Sequence, residues 1–141
     1  GGLDSRHMLF EDRNDGRIHE RVASLTTIST PHTGTSFADW GSKNLGFLKP
    51  WAKTLGVDLT GFDCLTTDFC SAFNNDPEVC KFETSCFEQL EVRTYAGTQP
   101  FWRVLTLLKP SAYIIQEAEG DNDGLVSVES AKWRDEFFKG T

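Results

Sequence analysis

The sequence predicts an α/β layered fold. Three observations carry that expectation. A helical opening segment stops at a turn. A run rich in β-branched residues follows it directly and is halted by Pro31 and Gly34. A second run of the same kind, "LEVRTYAGT", closes on Gly97 after a stretch with helical spacing.

The first helix reads from "GGLDSRHMLF" and ends at "NDG", Asn14 to Gly16, a strong turn signal. A glycine pair at a helix entrance suggests a backbone that turns sharply or is closely approached. The first strand lies in "RVASLTTIST", where Val22, Thr26, Thr27, Ile28 and Thr30 favour a buried strand. Between residues 36 and 75, Phe47, Leu48, Trp51 and Leu55 fall at helical spacing, as do Leu65, Phe69 and Phe73. Glycines and Pro50 cut this stretch into short pieces. It reads either as small core helices or as a cap over an apolar site. The segment "FWRVLTLLKPSAYII", interrupted by Pro110, fits a hairpin, a helix or part of a cap. An acidic turn, a β-like "LVSV" and a helix near "SAKWRDEFF" complete the chain.

With 141 residues the chain has the length of one domain. Its net charge of −7 argues against a nucleic-acid partner, which needs a basic face. Eleven Phe and four Trp exclude a disordered chain and imply a core or a greasy binding surface. Cys64, Cys70, Cys80 and Cys86 have no CxxC spacing and no neighbouring His, so zinc is not expected. Two disulfides and four buried thiols both remain open.

Glu119, Asp121 and Asp123 alternate before Gly124. An EF-hand loop wants a closing Glu at its twelfth position, which here is Ser130. Calcium is therefore not expected at this turn. Two readings stay open on residue types alone: a solvated turn whose Asp and Asn bond their own backbone, and a catalytic acid beyond a strand.

"GGLDSR", "SLTTISTPHTGTSFAD", "LTTDFCSAFN" and "EGDNDGLVSVESAKW" occur in this order. Together they resemble the triacylglycerol lipases of the α/β-hydrolase superfamily, in which the nucleophile elbow reads Gly-His-Ser-x-Gly-Gly-Leu-Asp-x-Arg. Gly1 and Gly2 match the last two glycines of that elbow. The resemblance implies that residues 1–141 form part of one α/β-hydrolase domain. They would be the C-terminal half of its sheet, with 36–75 as a helical cap insertion. It implies a first helix that follows the nucleophile and a chain that starts two residues after the reactive serine. Ser5, past the elbow, is then an ordinary helix-face hydroxyl.

The resemblance also places the acid. The family's catalytic Asp, in Asn-Asp-Gly-Leu-Val, maps onto Asp123, with Asp121 the weaker candidate. His32, in a Thr-Pro-His-x-Gly match, shapes an active-site loop with Pro31 and Gly34 or touches substrate directly. Thr33 stands where the family often has a basic residue. The family's catalytic His follows the acid, whereas His7, His19 and His32 all precede Asp123. Some bacterial members bind a structural calcium, but no clear match for its ligands is present, so no metal or cofactor is expected.

The implied function is serine-dependent hydrolysis of acylglycerol or similar lipid esters. The implied partners are a lipid ester substrate and, in the full-length protein, a lipid–water interface. Triad chemistry needs a serine, a histidine and oxyanion donors, so the isolated chain is expected to be inactive. Half a parallel sheet would leave apolar faces and edges open, so poor solubility is expected too. Two alternatives remain: another α/β-hydrolase chemistry, such as a phospholipase, thioesterase or acyltransferase, and a non-enzymatic module.

Overall fold

A computed structural model describes residues 1–44, 46, 49–50 and 61–141. Three parallel strands form a sheet in the order β1-β2-β3: β1 Ser24–Ile28, β2 Glu91–Tyr95 and β3 Phe138–Gly140. Leu25 lies opposite Val92 and Thr27 opposite Thr94, so the inward residues of the first two strands share one face. The β2–β3 register shifts between Thr94 and Tyr95.

Six helices accompany the sheet among the described residues: α1 Gly2–Glu11, α2 Ser36–Lys43, α3 Thr67–Asn74, α4 Pro77–Phe87, α5 Lys109–Ala118 and α6 Val128–Lys132. Their starts follow capping chemistry. Thr35, Thr66, Asp76 and Ser127 each accept a bond from an N–H in the first turn of α2, α3, α4 and α6. Pro110 sits in the first turn of α5, where its missing N–H costs nothing. It therefore opens a helix, which resolves the segment with three readings.

The main core joins Leu9 of α1 to Leu25, Leu90 and Val92, with Phe82, Phe87, Trp133 and Phe137 packed around them. A second cluster pairs Phe37 of α2 with Ile115 of α5. A third gathers Ala96, Val126 and Ala131 beside β3.

Three expectations change. The first strand is buried on one face only: Leu25 and Thr27 point inward, while Ile28 is 72% exposed. "LVSV" is not a strand, because Ser127 caps α6 and Val128 begins it. The helix expected through "SAKWRDEFF" stops at Lys132, and Phe138–Gly140 becomes β3. The stop falls at Trp133, whose φ of 60° breaks the helix. Its ring stacks on His32 with centroids 4.5 Å apart. Tertiary packing thus overrides a local helical preference. The helix expected over Leu65, Phe69 and Phe73 is present as α3, whereas Phe47, Leu48, Trp51 and Leu55 lie outside the described residues. All four cysteines are free thiols.

Candidate active site

In open α/β sheets, ligands bind beyond the carboxyl ends of the strands. Here that end holds residues contributed by four parts of the chain. Ser29 follows β1 directly and donates its N–H to the Tyr95 carbonyl at 2.9 Å. Its φ of 46° is a left-handed conformation that a serine rarely adopts. Gly97, two residues past β2, lies under Ser29 and Asp123. A Cβ on Gly97 would meet Ser29 Oγ at 2.9 Å, Asp123 Cβ at 3.1 Å and Asp123 Oδ2 at 3.3 Å. Any side chain at 97 would displace the carboxylate.

The Asp123 carboxylate is fixed by its own turn. Oδ1 accepts the N–H groups of Leu125 and Val126, each at 2.9 Å, and the Asp123 N–H donates to the Val126 carbonyl at 3.2 Å. Among the described residues Oδ2 accepts no hydrogen bond. One oxygen is therefore spent on orientation and the other is left over the strand ends. The neighbouring Asn122 is buried, donates to the Gly120 and Ala112 carbonyls and accepts the Gly124 N–H. The turn is thus held rigidly.

The other acids of the turn do different work. Glu119 accepts the Ser36 N–H at 2.6 Å through one oxygen and the Ser127 hydroxyl through the other. It ties the start of α2 to the start of α6. Asp121 is exposed and contributes its backbone carbonyl to the Val128 N–H at 2.8 Å.

Helix α1 enters at the same end. A Cβ on Gly2 would lie 2.2 Å from Thr30 Oγ1 and 2.9 Å from Thr30 Cβ. Thr30 follows Ser29, so the start of α1 rests on the end of β1. A Cβ on Gly1 would meet nothing within 4 Å, and the Gly1 carbonyl accepts the Ser5 N–H and hydroxyl. A hollow of about 540 Å³ opens beside Gly1, lined by Leu3, His7, Leu65, Phe69 and Phe73.

His32 is fully buried, with a relative exposure of 0%. Its Nε2 shares a 2.8 Å hydrogen bond with the Thr27 hydroxyl, and its Nδ1 has no partner. Burial, helped by the nearby Arg6 charge, pulls its pKa down to about 3. It is therefore a neutral ring packed on Trp133, and its position gives it no access to bulk substrate. The loop around it is pinned by Ser130, whose carbonyl accepts the His32 N–H at 3.2 Å and whose hydroxyl donates to the Gly34 carbonyl at 2.6 Å. Gly34 has φ of 86° and touches the backbone of Thr66 and Thr67.

Arg6 of α1 is buried and stacks over Trp133 at 3.9 Å. Its Nε donates to Glu83 at 2.8 Å and its Nη2 to Asn74 Oδ1 at 2.8 Å. Asn74 donates in turn to the His32 carbonyl at 2.9 Å. Arg134 reaches the second oxygen of Glu83 at 3.0 Å. Desolvation lowers the Arg6 pKa, and the bond to Glu83 opposes that shift.

The structure thus brings Gly2, Ser29, Gly97 and Asp123 to one end of the sheet and sets His32 behind them in the core. Among the described residues no serine hydroxyl bonds a histidine, and His7 and His19 bind elsewhere: His7 stacks on Phe73 and His19 pairs with Asp12.

A solved structure, the mature form of the Bacillus licheniformis lipase BlEst2, superposes with a TM-score of 0.67 at 24% identity. The match covers 99% of this chain and 51% of that one. The chain has part of an α/β-hydrolase fold. It is also 33% identical over 149 residues to triacylglycerol lipase 2 of Saccharomyces cerevisiae. That match covers 100% of this chain and 40% of the relative, so the chain spans less than half of that relative's length. No protein-family model matches the chain.

In the hydrolase fold, the sequence pointed to Asp123, His32, Gly1 and Gly2 but not to their supports. Ser29 was missed because a left-handed φ at a serine leaves no trace in composition. Glu83 and Arg134 were missed because the pairing spans 51 residues. Glu119 was counted among the turn acids, and only the fold shows it as a brace.

Proposed function

We propose that this chain supplies the acid-bearing part of a serine hydrolase that cleaves carboxylic esters of acylglycerols. One observation carries the reading. The start of α1 at Gly2 and the free oxygen of Asp123 both lie at the carboxyl end of the β1–β2 pair, joined through Thr30, Ser29 and Gly97. An elbow serine two residues before Gly1 would enter the site on one side, and the acid would face it from the other.

Asp123 acts through an imidazole. Its Oδ2 accepts the imidazole N–H, holds the ring in the tautomer that takes the serine proton, and stabilises the imidazolium that results. The bonds from Leu125 and Val126 keep the carboxylate aimed. His32 is not that imidazole, because it is buried, neutral and bonded to Thr27. It holds the loop after β1 in shape. The apolar hollow beside Gly1 suits an acyl chain, since Leu3, Leu65, Phe69 and Phe73 offer it hydrocarbon and aromatic contacts.

The similarity to proteins named as lipases supports this substrate class. The test uses a polypeptide in which this chain lies between a serine elbow and a histidine loop. Asp123→Asn is expected to lower kcat on a short-chain ester on the order of 10⁴-fold, as loss of the triad acid does elsewhere. Asp121→Asn is expected to stay near wild type. Equal losses at both positions would contradict the assignment.

A further inference from the structure

Ser29 leaves β1 with φ of 46°. Glycine takes this conformation freely, and other residues take it at a cost. Asn and Asp offset that cost when their short side chains bond the local backbone. The Ser29 hydroxyl makes no such bond among the described residues. The chain thus keeps a side chain where glycine would fold more easily, and draws no local contact from it.

What the hydroxyl faces is the acid. The space over Gly97 is bounded by Ser29 Oγ, Asp123 Cβ and Asp123 Oδ2, at 2.9, 3.1 and 3.3 Å from where a Cβ would sit. Residue 97 contributes no side chain between the two oxygens. Both oxygens are carried on anchored backbone. The Ser29 N–H is held by the Tyr95 carbonyl at 2.9 Å, and the next residue, Thr30, is buried against Gly2. The carboxylate is held through Oδ1 by the Leu125 and Val126 N–H groups.

We infer that Ser29 is a positioning residue for the acid: with the imidazole in place, its hydroxyl turns onto Asp123 Oδ2 and donates to it beside the imidazole N–H. The inference rests on the assignment of Asp123 above. A carboxylate has about four lone-pair sites. Oδ1 spends two on its own turn, so Oδ2 has room for both donors. A hydroxyl bond to a carboxylate is charge-assisted and stronger than a neutral one. It stops the carboxylate from swinging as the imidazole gains charge, and so keeps the ring aimed at the serine.

The test is a double-mutant cycle in the protein containing this chain, assayed on a soluble short-chain ester. S29G separates the roles, because it removes the hydroxyl and the backbone strain together. Its urea midpoint is expected at or above that of wild type, so lost activity is not lost folding. Its kcat is expected to fall about tenfold or more, the effect of one hydrogen bond to a charged group, with KM near wild type. Once Asp123 is Asn, the same change should cost less than about twofold, because the two residues act as a unit. Equal losses in both backgrounds would make Ser29 purely structural, and a raised KM at unchanged kcat would make it a substrate contact; either result overturns the inference. A wild-type kcat in S29G beside a disabled D123N overturns it too and leaves the acid assigned. Full activity in D123N removes that assignment, and the inference with it.

Discussion

At Gly2 the decisive fact is a distance. A methyl group there would lie 2.2 Å from Thr30 Oγ1, well inside contact. Gly2→Ala is expected to cost about 1–3 kcal/mol, read as a lower urea midpoint with an unchanged slope. Adding Thr30→Gly should recover most of it. If Gly2→Ala unfolds at the wild-type midpoint, the close packing of α1 on β1 is wrong. His32 makes a second prediction. Its pKa is about 3 in the fold, against an ordinary value of 6.5. The unfolded chain therefore takes up the proton first as pH falls, so stability rises with pH between those values. Below about pH 6 each unit should shift the folding equilibrium by up to about tenfold. His32→Gln should remove that share of the acid sensitivity. A variant with the same slope over pH 4 to 6 would show that His32 is not its source.

Among elements, the Glu83 carboxylate of α4 joins α1, through Arg6, to the turn before β3, through Arg134. Glu83→Ala leaves two guanidinium groups facing each other, one of them buried, and is expected to cost about 3–5 kcal/mol. Replacing Arg6 and Glu83 together by Met and Leu should cost much less, because the one cation left without Glu83, Arg134, is partly exposed and also faces Glu136. A double mutant as unstable as the single one would argue against the ion-pair account. How much of this was legible follows from the range of each signal. Local signals gave α1, β1, β2 and α3, because β-branched runs and helical spacing report on adjacent residues. The motif match gave Asp123 and the loop of His32. Signals that depend on distant packing were lost: Trp133 reads as a helix residue until His32 and Arg6 are placed against it, and β3 is too short to show a period. One-sided burial of β1 was equally hidden, since Thr26 and Ile28 look the same in sequence whichever way they face.

For the molecule as a whole, β1 is an edge strand among the described residues, with Ile28 exposed and one side unpaired there. An open edge of this kind recruits other strands. The purified 141-residue chain is expected to sediment as oligomers, and Ile28→Lys should lower their proportion; a strictly monomeric wild-type chain would contradict this. On a chromogenic short-chain ester the same chain should show no saturable turnover that a serine-directed inhibitor blocks, because no serine–histidine pair exists among its described residues. The central claim is geometric: Gly2 and Asp123 flank one active site. It is tested most directly by a crystal structure of a polypeptide that places this chain between a serine elbow and a histidine loop, with a phosphonate on the serine. The account predicts Asp123 Oδ2 within about 2.6–3.2 Å of an imidazole nitrogen, with the modified serine two residues before Gly1. An imidazole bonded instead to Asp121 or Glu119, or a phosphonate remote from Gly1, would contradict it.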